Sequence, residues 1–255
     1  MRALLATARG AALEAAADRR ALASQALAMA VNDGVWIVFW VLFFDRSGDL
    51  RGWDLDGIIL LQAVLTTSGG IALGLVANAR RIGTLIVDGG LDPVLALPAS
   101  PLGLLLLRRI EPVNLGDFAF GVTLFAVAGH PTPSRTLLFG AVVAASATLL
   151  TGFLVLTGSL AFFAGRGESG ELGFHAMVLL GSYPVDVFAG TAKVLAYTVV
   201  PAAFVSTVPA RVIMDFDSGQ ALLLLTAAST VALAAAAVFR AGLRRYTSGA
   251  VWTRA

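Results

Sequence analysis

Long apolar runs separated by short polar stretches make up most of the chain. Six of these runs are long enough to cross a bilayer as helices, and they lie at 26–44, 57–77, 111–129, 137–164, 172–189 and 219–239. A hydrocarbon core about 30 Å thick requires about 17 to 25 mostly apolar residues in a helix. The pattern therefore predicts an all-α membrane protein with six transmembrane helices, forming a single transmembrane domain over residues 1–255.

The composition agrees with this prediction. Of the 255 residues, 58% are hydrophobic and 13% are charged, and the mean hydropathy is +0.84. A soluble domain has about 25% charged residues. The chain contains no cysteine, so a disulfide, a reactive thiolate and a cysteine metal site are all excluded.

The basic residues, 17 arginines and one lysine, are distributed unequally among the connections. With six spans, 13 of them share one side, in the N-terminal arm, in 78–110, in 165–171 and in the C-terminal tail. The other five are Arg46, Arg51, Arg135, Lys193 and Arg211. Basic connections stay in the cytoplasm, so we expect both termini to be cytoplasmic. Nucleic acid is not an expected partner, because the arginines form no basic stripe.

A seventh apolar run, 193–212, is also long enough to cross, but Pro201 and Pro209 interrupt it. A full seventh span would move the arginines of the C-terminal tail to the outside. We therefore predict that residues 190–215 form an external re-entrant segment, where broken backbone is tolerated against protein or water. A kinked seventh span is the alternative.

Two further segments lie outside the predicted spans. Residues 1–25 are rich in alanine with interspersed charges, which favours an interfacial helix; a disordered arm is the alternative. The connection 78–110 consists of short apolar pieces interrupted by Gly89, Gly90 and prolines. A solvated loop would be more polar, so this connection is expected to dock a cytosolic partner, with a plain interfacial loop as the alternative.

Several polar residues fall within the predicted spans. Glu111, Asn114 and Asp117 are spaced three apart and so should share one face of the third span. Asp33 lies in the first span and Asp186 in the fifth. Ionisable residues in spans usually face the protein interior or water, so this set predicts a polar pathway or gate. Hydrogen bonding between helices and placement at the headgroup level are the alternatives.

Recognisable catalytic chemistry is missing from the sequence. It has no HExxH motif and no phosphate-binding GxxxxGK[ST] loop, and its single lysine is Lys193. Ser68 lies in a glycine-rich stretch, but His175 lies closer to the cytoplasmic end, which disfavours an intramembrane hydrolase. The chain is therefore expected to be no enzyme and to hold no cofactor, and any driving nucleotide must bind to another chain.

Three motifs identify a resemblance to a known family: SYPVDVF at 182–188, VVPAAFVSTVPA at 199–210 and GGLDPVLALPAS at 89–100. With these motifs the chain resembles the permease subunits of type-2 ATP-binding-cassette exporters. The nearest group is a small six-span family paired with an ATPase and often with a second permease. Tyr183-Pro184, Phe188, Pro201, Ala203-Phe204 and Pro209-Ala210 fill the family's proline pattern.

This resemblance implies a function and a set of partners. The chain would be a subunit of an exporter of amphipathic or drug-like compounds in the bacterial cytoplasmic membrane. A cytosolic ATPase dimer would carry ATP and Mg²⁺, and a second six-span permease, related but non-identical, would complete the pathway within membrane lipid. The alternative is a non-transporting assembly or sensory subunit that docks a cytosolic partner through 78–110.

The resemblance also implies residue roles. Residues 1–25 would be the connecting helix, and 78–110 would contain a coupling helix that contacts the ATPase. The implied coupling residues are Asp88, Gly90, Leu91, Asp92, Pro93, Leu95 and Pro98. The proline-broken segment would form an external plug, and the residues implied in closing it are Tyr183, Pro201, Phe204 and Pro209.

Overall fold

The computed structural model describes residues 2–17, 19–48 and 50–247, and within these ranges the chain forms helices and no β-strand. The α-helices are α1 (Arg2–Ala15), α2 (Arg19–Ser47), α3 (Leu55–Gly69), α4 (Asn78–Val87), α5 (Asp92–Leu95), α6 (Pro101–Leu107), α7 (Pro112–Ala128), α8 (Pro133–Ser159), α9 (Ala161–Ala164), α10 (Ser169–Gly181), α11 (Gly190–Tyr197), α12 (Thr207–Met214) and α13 (Ser218–Leu243). A π-helix (Gly70–Leu75) continues α3, and 3₁₀ turns occur at Val185–Val187 and Ala202–Phe204.

Four helical segments in the described residues are long and apolar enough to cross a membrane: Ala23–Ser47, Leu55–Leu75, Pro133–Ala164 and Ser218–Leu243. Two bent pairs reach the same length and composition together. The pair α6 and α7 is bent by 78°, and the pair formed by α11 and the Ala202–Met214 segment is bent by 58°. The prediction of an all-α membrane protein is confirmed.

The helices α3 and α8 form the centre of the bundle. Helix α8 packs against α13, α4, α10 and α3, while α7 lies between α3 and α2. Small residues allow these close crossings. A Cβ added to Gly70 would lie 2.5 Å from the backbone nitrogen of Phe118, and one added to Gly152 would lie 3.2 Å from Ala232. Most of α2 and α13 remains on the periphery.

Side-chain contacts define two ends of the molecule. At the first, which we call the Asp186 end, Arg51 donates to the carbonyl of Asp186 at 2.8 Å and Arg135 donates to that of Ile213 at 3.1 Å. At the second, the α5 end, Arg80 pairs with Glu171 at 3.1 Å, and the chain after α13 returns to α5. Helices α2, α3, α7, α8, α10 and α13 connect the two ends, so the described chain passes between them six times.

The fifth passage differs from the predicted span 172–189. Helix α10 ends at Gly181 after 13 residues, about 20 Å at 1.5 Å per residue. Pro184 disfavours a helical conformation for the residue before it. The non-helical backbone that follows is buried and hydrogen-bonded, since Gln62 donates to the carbonyl of Ser182 at 3.0 Å. The backbone nitrogen of Val185 donates to Thr207 at 2.9 Å. The prediction of a continuous fifth helix was wrong.

The proline-broken segment begins and ends at the Asp186 end. Lys193 in α11 and Arg211 in α12 both contact the carboxylate of Asp186. A straight helix would place two residues 18 positions apart about 27 Å from each other, too far for one shared carboxylate. The chain therefore turns back between them, after α11 ends at Tyr197. That this turn lies on the external side stays a prediction.

The N-terminal arm is shorter than predicted. Residues 1–25 were expected to form one interfacial helix, but α1 ends at Ala15 and α2 begins at Arg19. The first long helix thus starts before residue 26. Helix α1 packs against α6, while Leu5 and Leu13 stay exposed, which suits contact with a membrane surface. Arg254, counted above in the basic tail, lies outside the described residues.

Candidate functional site

The turn between α4 and α6, residues 88–98, contains all the residues predicted for coupling and is termed the coupling turn after that prediction. Gly89 has φ +75°, a conformation that glycine adopts without strain. The backbone nitrogen of Gly90 then donates to the carbonyl of Leu85 at 2.8 Å, and a Cβ on Gly90 would lie 2.8 Å from the Leu85 side chain. The two glycines thus reverse the chain sharply after α4 and present α5.

The coupling turn has a buried side and an exposed side. Leu91 and Val94 are each 1% exposed and belong to the main core. Leu95 and Leu97 are 41% and 47% exposed. The buried pair anchors the turn, and the exposed pair is available to another protein. The side chain of Leu91, one of the residues predicted for coupling, is thus part of the chain's own core, and its coupling role stays a prediction.

The other residues predicted for coupling have different environments. Asp88, Pro93, Leu95 and Pro98 are exposed, whereas Gly90 and Asp92 are half-buried. Asp92 accepts a hydrogen bond from the Tyr246 hydroxyl at 2.8 Å. Tyr246 also packs against Phe162, with ring centroids 6.2 Å apart. The Asp92–Tyr246 hydrogen bond ties the coupling turn to the chain that follows α13, and no sequence pattern indicates this bond.

Helix α4 is held tightly against the connection between α8 and α10. A Cβ on Gly83 would overlap the carbonyl oxygen of Gly167, and one on Gly170 would lie 2.6 Å from the carbonyl of Arg80. The guanidinium of Arg80 lies 5.0 Å from the Phe174 ring centroid. The coupling turn is therefore joined through α4 to α10, which leads to the Asp186 end.

Two carboxylates come together where α2 packs on α7. A Cβ on Gly116 would lie 2.9 Å from the carbonyl oxygen of Ala26, so the two backbones approach closely. Asp117 is 8% exposed, and its Oδ1 and the Oδ2 of Asp33 are buried without a hydrogen-bond partner among the described residues. A buried carboxyl group without a partner is costly in its ionised form and tends to take up a proton instead, so these two oxygens are the unsatisfied polar groups of this helix interface.

Glu111 and Asn114 do not continue this carboxylate site. Glu111 precedes α7 and pairs with Arg109 at 2.8 Å. Asn114 donates to the carbonyl of Leu73 at 3.0 Å, inside the π-helix. The prediction that Glu111 shares a helical face with Asn114 and Asp117 was wrong, because the helix begins only at Pro112. Asn114 instead supplies a hydrogen bond to a backbone carbonyl of the π-helix.

Asp186 organises the opposite end of the molecule. Its side chain is 15% exposed. It accepts hydrogen bonds from the Trp53 indole at 3.1 Å and from Lys193 at 3.2 Å, and it forms an ion pair with Arg211. Arg51 donates to its backbone carbonyl. Four partners thus converge on this residue, two from the connection between α2 and α3 and two from the re-entrant segment.

These contacts change the interpretation of Asp186. It lies in a 3₁₀ turn after α10 has ended, so its predicted place within a transmembrane helix was wrong. Burial alone would raise the pKa of its carboxyl group, but the hydrogen bonds from Trp53 and Lys193 and the charge of Arg211 outweigh burial and hold the pKa below its usual value. The carboxylate stays ionised and fully occupied by its own partners.

Of the two aromatic plug residues, Tyr183 lies three residues before Asp186, whereas the carbonyl of Phe204 accepts a hydrogen bond from Ser146 in the middle of α8 at 3.4 Å. The Tyr183 ring meets Trp36 and Trp40 edge-on, with centroids 6.0 and 5.9 Å apart. Phe204 is only 7% exposed, and its ring meets Tyr197 at 5.6 Å. In this conformation both aromatic side chains pack against the protein's own rings.

The two prolines of the plug are not equivalent. Pro201 directly precedes the 3₁₀ turn, at the break after α11. Pro209 is the third residue of α12, where the backbone nitrogen has no intrahelical partner in any case. Pro201 therefore marks the bend, and the expectation that Pro209 also bends the segment was wrong.

The described residues contain no group of three or more His, Cys, Asp or Glu side chains placed to hold a metal ion. The ionisable groups are instead distributed between the two ends and the Asp33–Asp117 pair.

Four apolar helices in the described residues are long enough to cross a membrane, and together with a core centred on α3 and α8 they define a multi-pass integral membrane protein. A family profile of ABC-2 family transporter proteins matches residues 30–250, and the chain therefore belongs to the ABC-2 transporter family. It is a transmembrane subunit of a transporter, and permeases of this family generally work with an ATPase partner. No curated protein and no solved structure matches the chain.

Proposed function

We propose that this chain is the membrane-spanning subunit of an ATP-driven exporter and hydrolyses no ATP itself. A separate cytosolic ATPase dimer, carrying ATP and Mg²⁺, docks on the coupling turn. The observation that carries this proposal is the two-sided turn, in which Leu91 and Val94 anchor a rigid base while Leu95 and Leu97 remain exposed. Exposed apolar side chains on an anchored turn suit a protein interface. This proposal places both termini in the cytoplasm of a bacterial cell.

The connection between the coupling turn and the Asp186 end supports a route for conformational change. Close glycine contacts join α4 to the start of α10, and α10 leads directly to the 3₁₀ turn that carries Asp186. A displacement of α4 by the ATPase would therefore move the Asp186 end. That end is the proposed exit, with the re-entrant segment as its plug.

The cargo proposed here is an amphipathic compound, with an organic cation favoured. Asp33 and Asp117 each present a buried oxygen without a hydrogen-bond partner among the described residues, and a positive charge is the most effective partner for a carboxylate in a low-dielectric site. Asp186 plays no part in cargo binding, since its own basic partners occupy it.

A second permease would complete the pathway. Helix α2 packs mainly on α7 and is otherwise exposed, and its exposed large apolar side chains include Val31, Val35, Val38, Phe39 and Leu42. Asp33 is half-buried on this helix, and ionisable residues in spans usually face protein or water. We propose that a related, non-identical six-span chain covers this face.

The docking proposal is tested by co-purification. A tagged chain, purified from its native membrane, should retain a soluble P-loop ATPase, and Leu95→Glu combined with Leu97→Glu should release it. Leu95→Met is the conservative control and should retain the ATPase. Leu5→Glu, a change at another exposed leucine, controls for the introduced charge. Retention of the ATPase by the double glutamate variant would overturn the proposed docking site.

Transport distinguishes this proposal from the alternative function. A non-transporting assembly or sensory subunit would also bind a partner through the coupling turn, but it would show no ATP-dependent movement of an organic cation across the membrane. Export by the intact complex would exclude that alternative, whereas binding without export would favour it.

A further inference from the structure

A basic pocket lies at the α5 end, next to the coupling turn but separate from its exposed face. Its volume is about 310 Å³. Its walls come from four elements: α1, α4, the coupling turn, and the end of α6 with the bend that follows. The polar and charged side chains that line it are Glu14, Asn78, Arg81, Arg108 and Arg109.

A hydrogen bond between α4 and α6 determines how Arg81 and Arg108 are placed relative to each other. The Asn78 side chain donates to the carbonyl of Leu105 at 2.8 Å, and Asn78 is 5% exposed. Arg81 lies three residues after Asn78, and Arg108 lies three residues after Leu105. Residues three apart occupy the same side of a helix, so this bond between α4 and α6 sets the two guanidinium groups on facing walls of one pocket.

The arginines of the pocket are incompletely neutralised. Arg109 pairs with Glu111 at 2.8 Å. In the ranges that the structure describes, neither Arg81 nor Arg108 forms an ion pair, and Glu14 is the one carboxylate lining the pocket. Like charges that the fold holds close together repel each other, and an oxyanion between them would remove this repulsion.

The location of the pocket points to a lipid. Arg108 and Arg109 lie in the 78° bend between α6 and α7, two helices that together are apolar enough to cross a membrane. Helix α1, on another wall, exposes Leu5 and Leu13. Arginines between apolar helices lie at the level of the headgroups, where basic pockets between helices bind anionic lipid headgroups.

We propose that this pocket binds the phosphate of an anionic phospholipid through Arg81 and Arg108. Guanidinium groups recognise phosphate with two parallel hydrogen bonds, and the apolar side chains of Leu85 and Leu105 line the same pocket. Gly90 and Pro93 of the coupling turn also line it. Bound lipid would therefore hold the base of that turn. If the ATPase docks there as proposed, binding of the two would be thermodynamically linked; this consequence rests on the proposed function, whereas lipid binding does not.

The experiment uses the purified full-length chain in a neutral detergent. Phosphatidylglycerol or phosphatidylcholine is added, and the thermal unfolding midpoint is followed against lipid concentration. Phosphatidylglycerol should raise the midpoint of the wild type, and Arg81→Gln with Arg108→Gln should weaken its apparent affinity about tenfold or more. Arg166→Gln with Arg240→Gln removes two exposed arginines outside the pocket and should leave the affinity unchanged.

Several outcomes would overturn the proposal. They are an equal response to phosphatidylcholine, an equal loss of affinity in both double variants, and an unchanged affinity in the pocket variant. Inorganic phosphate that stabilises the chain as strongly as the lipid would assign the pocket to a soluble anion instead. A pocket that responds to the purified ATPase and to neither phosphate source would assign it to an acidic segment of that partner. If the double variant does not fold, the exposed Arg108→Gln alone carries the test.

Discussion

Arg51 and Asp186 are 135 positions apart in the sequence, yet the Arg51 guanidinium donates a 2.8 Å hydrogen bond to the Asp186 carbonyl. This contact joins the connection after α2 to the turn after α10. Because Lys193 and Arg211 bind the carboxylate of the same residue, the contact also fixes both ends of the re-entrant segment. The Asp186 end is thus held by one residue and four partners.

Replacing Asp186 should loosen this end. Asp186→Asn removes the charge that pairs with Lys193 and Arg211 and should destabilise the chain by about 1–2 kcal/mol, since water screens these two half-exposed basic side chains. The thermal unfolding midpoint in detergent should fall by roughly 2–8 °C. Asp215→Asn, a change at an exposed aspartate in the same region, is the control and should leave the midpoint unchanged. An equal effect of the two changes would contradict the role given to Asp186.

The same residue predicts a pH dependence. Its pKa in the folded chain is held below the ordinary value of 3.8, so its contribution to stability is complete above that value and is lost as the pH falls through the lower, folded pKa. The difference in unfolding midpoint between wild type and Asp186→Asn should therefore be constant above about pH 5 and shrink below about pH 4. Midpoints measured between pH 3 and pH 8 check this, and a difference that grows towards acid would contradict it.

Phe204 provides a test of the predicted gate. Because the ring is buried against Tyr197, Phe204→Ala would leave a cavity costing roughly 3–5 kcal/mol, which would obscure any effect on transport. Phe204→Leu is the milder change, and Phe125→Leu alters another buried ring, stacked on Phe139. Both variants should lose similar stability, but only Phe204→Leu should change the leak of an organic cation from vesicles. Equal leak in the two variants would remove the gate role.

Cysteine labelling tests the sidedness of the two ends. The chain has no cysteine of its own, so single cysteines can be introduced at the exposed residues Ser47 and Thr191 near the Asp186 end and Thr84 and Ser100 at the α5 end. In intact cells an impermeant thiol reagent should label only Ser47→Cys and Thr191→Cys. Labelling at position 84 or 100 would reverse the orientation. Ser206 is unsuitable because it is fully buried, and Ser248 lies outside the described residues.

The apolar pattern predicted the fold class because crossing a bilayer demands long apolar helices, and four such helices occur in the part of the chain that the structure describes. It failed at α10, where Pro184 ends the helix while the apolar run continues. An apolar run indicates that a segment is buried in lipid or protein, but it does not indicate that the segment is helical. Non-helical backbone at 182–184 is possible because neighbouring side chains such as Gln62 supply its hydrogen bonds, and no local sequence pattern indicates such a partner.

For the candidate sites too, local features could be predicted from the sequence, whereas contacts between distant residues could not. The coupling turn could be located from its glycines and prolines, since such residues favour turns. Gly89 adopts a positive φ there, which a glycine does without strain. Which leucine faces the core could not be predicted, since Leu91 and Leu95 have the same local chemistry. The partners of Asp186 and Asp92 are distant in sequence; Trp53 and Tyr246 meet them only through the packing of whole helices.

ATP-dependent transport by a chain with a changed coupling turn shows whether an ATPase drives export through that turn. Inside-out vesicles carrying the chain, its ATPase and its second permease are given the amphipathic cation rhodamine 6G with or without ATP. The wild type and Leu95→Met should accumulate the cation only with ATP, while Leu95→Glu should accumulate none although the chain inserts normally. Accumulation by the wild type without ATP, or unchanged ATP-dependent accumulation by Leu95→Glu, would contradict the account.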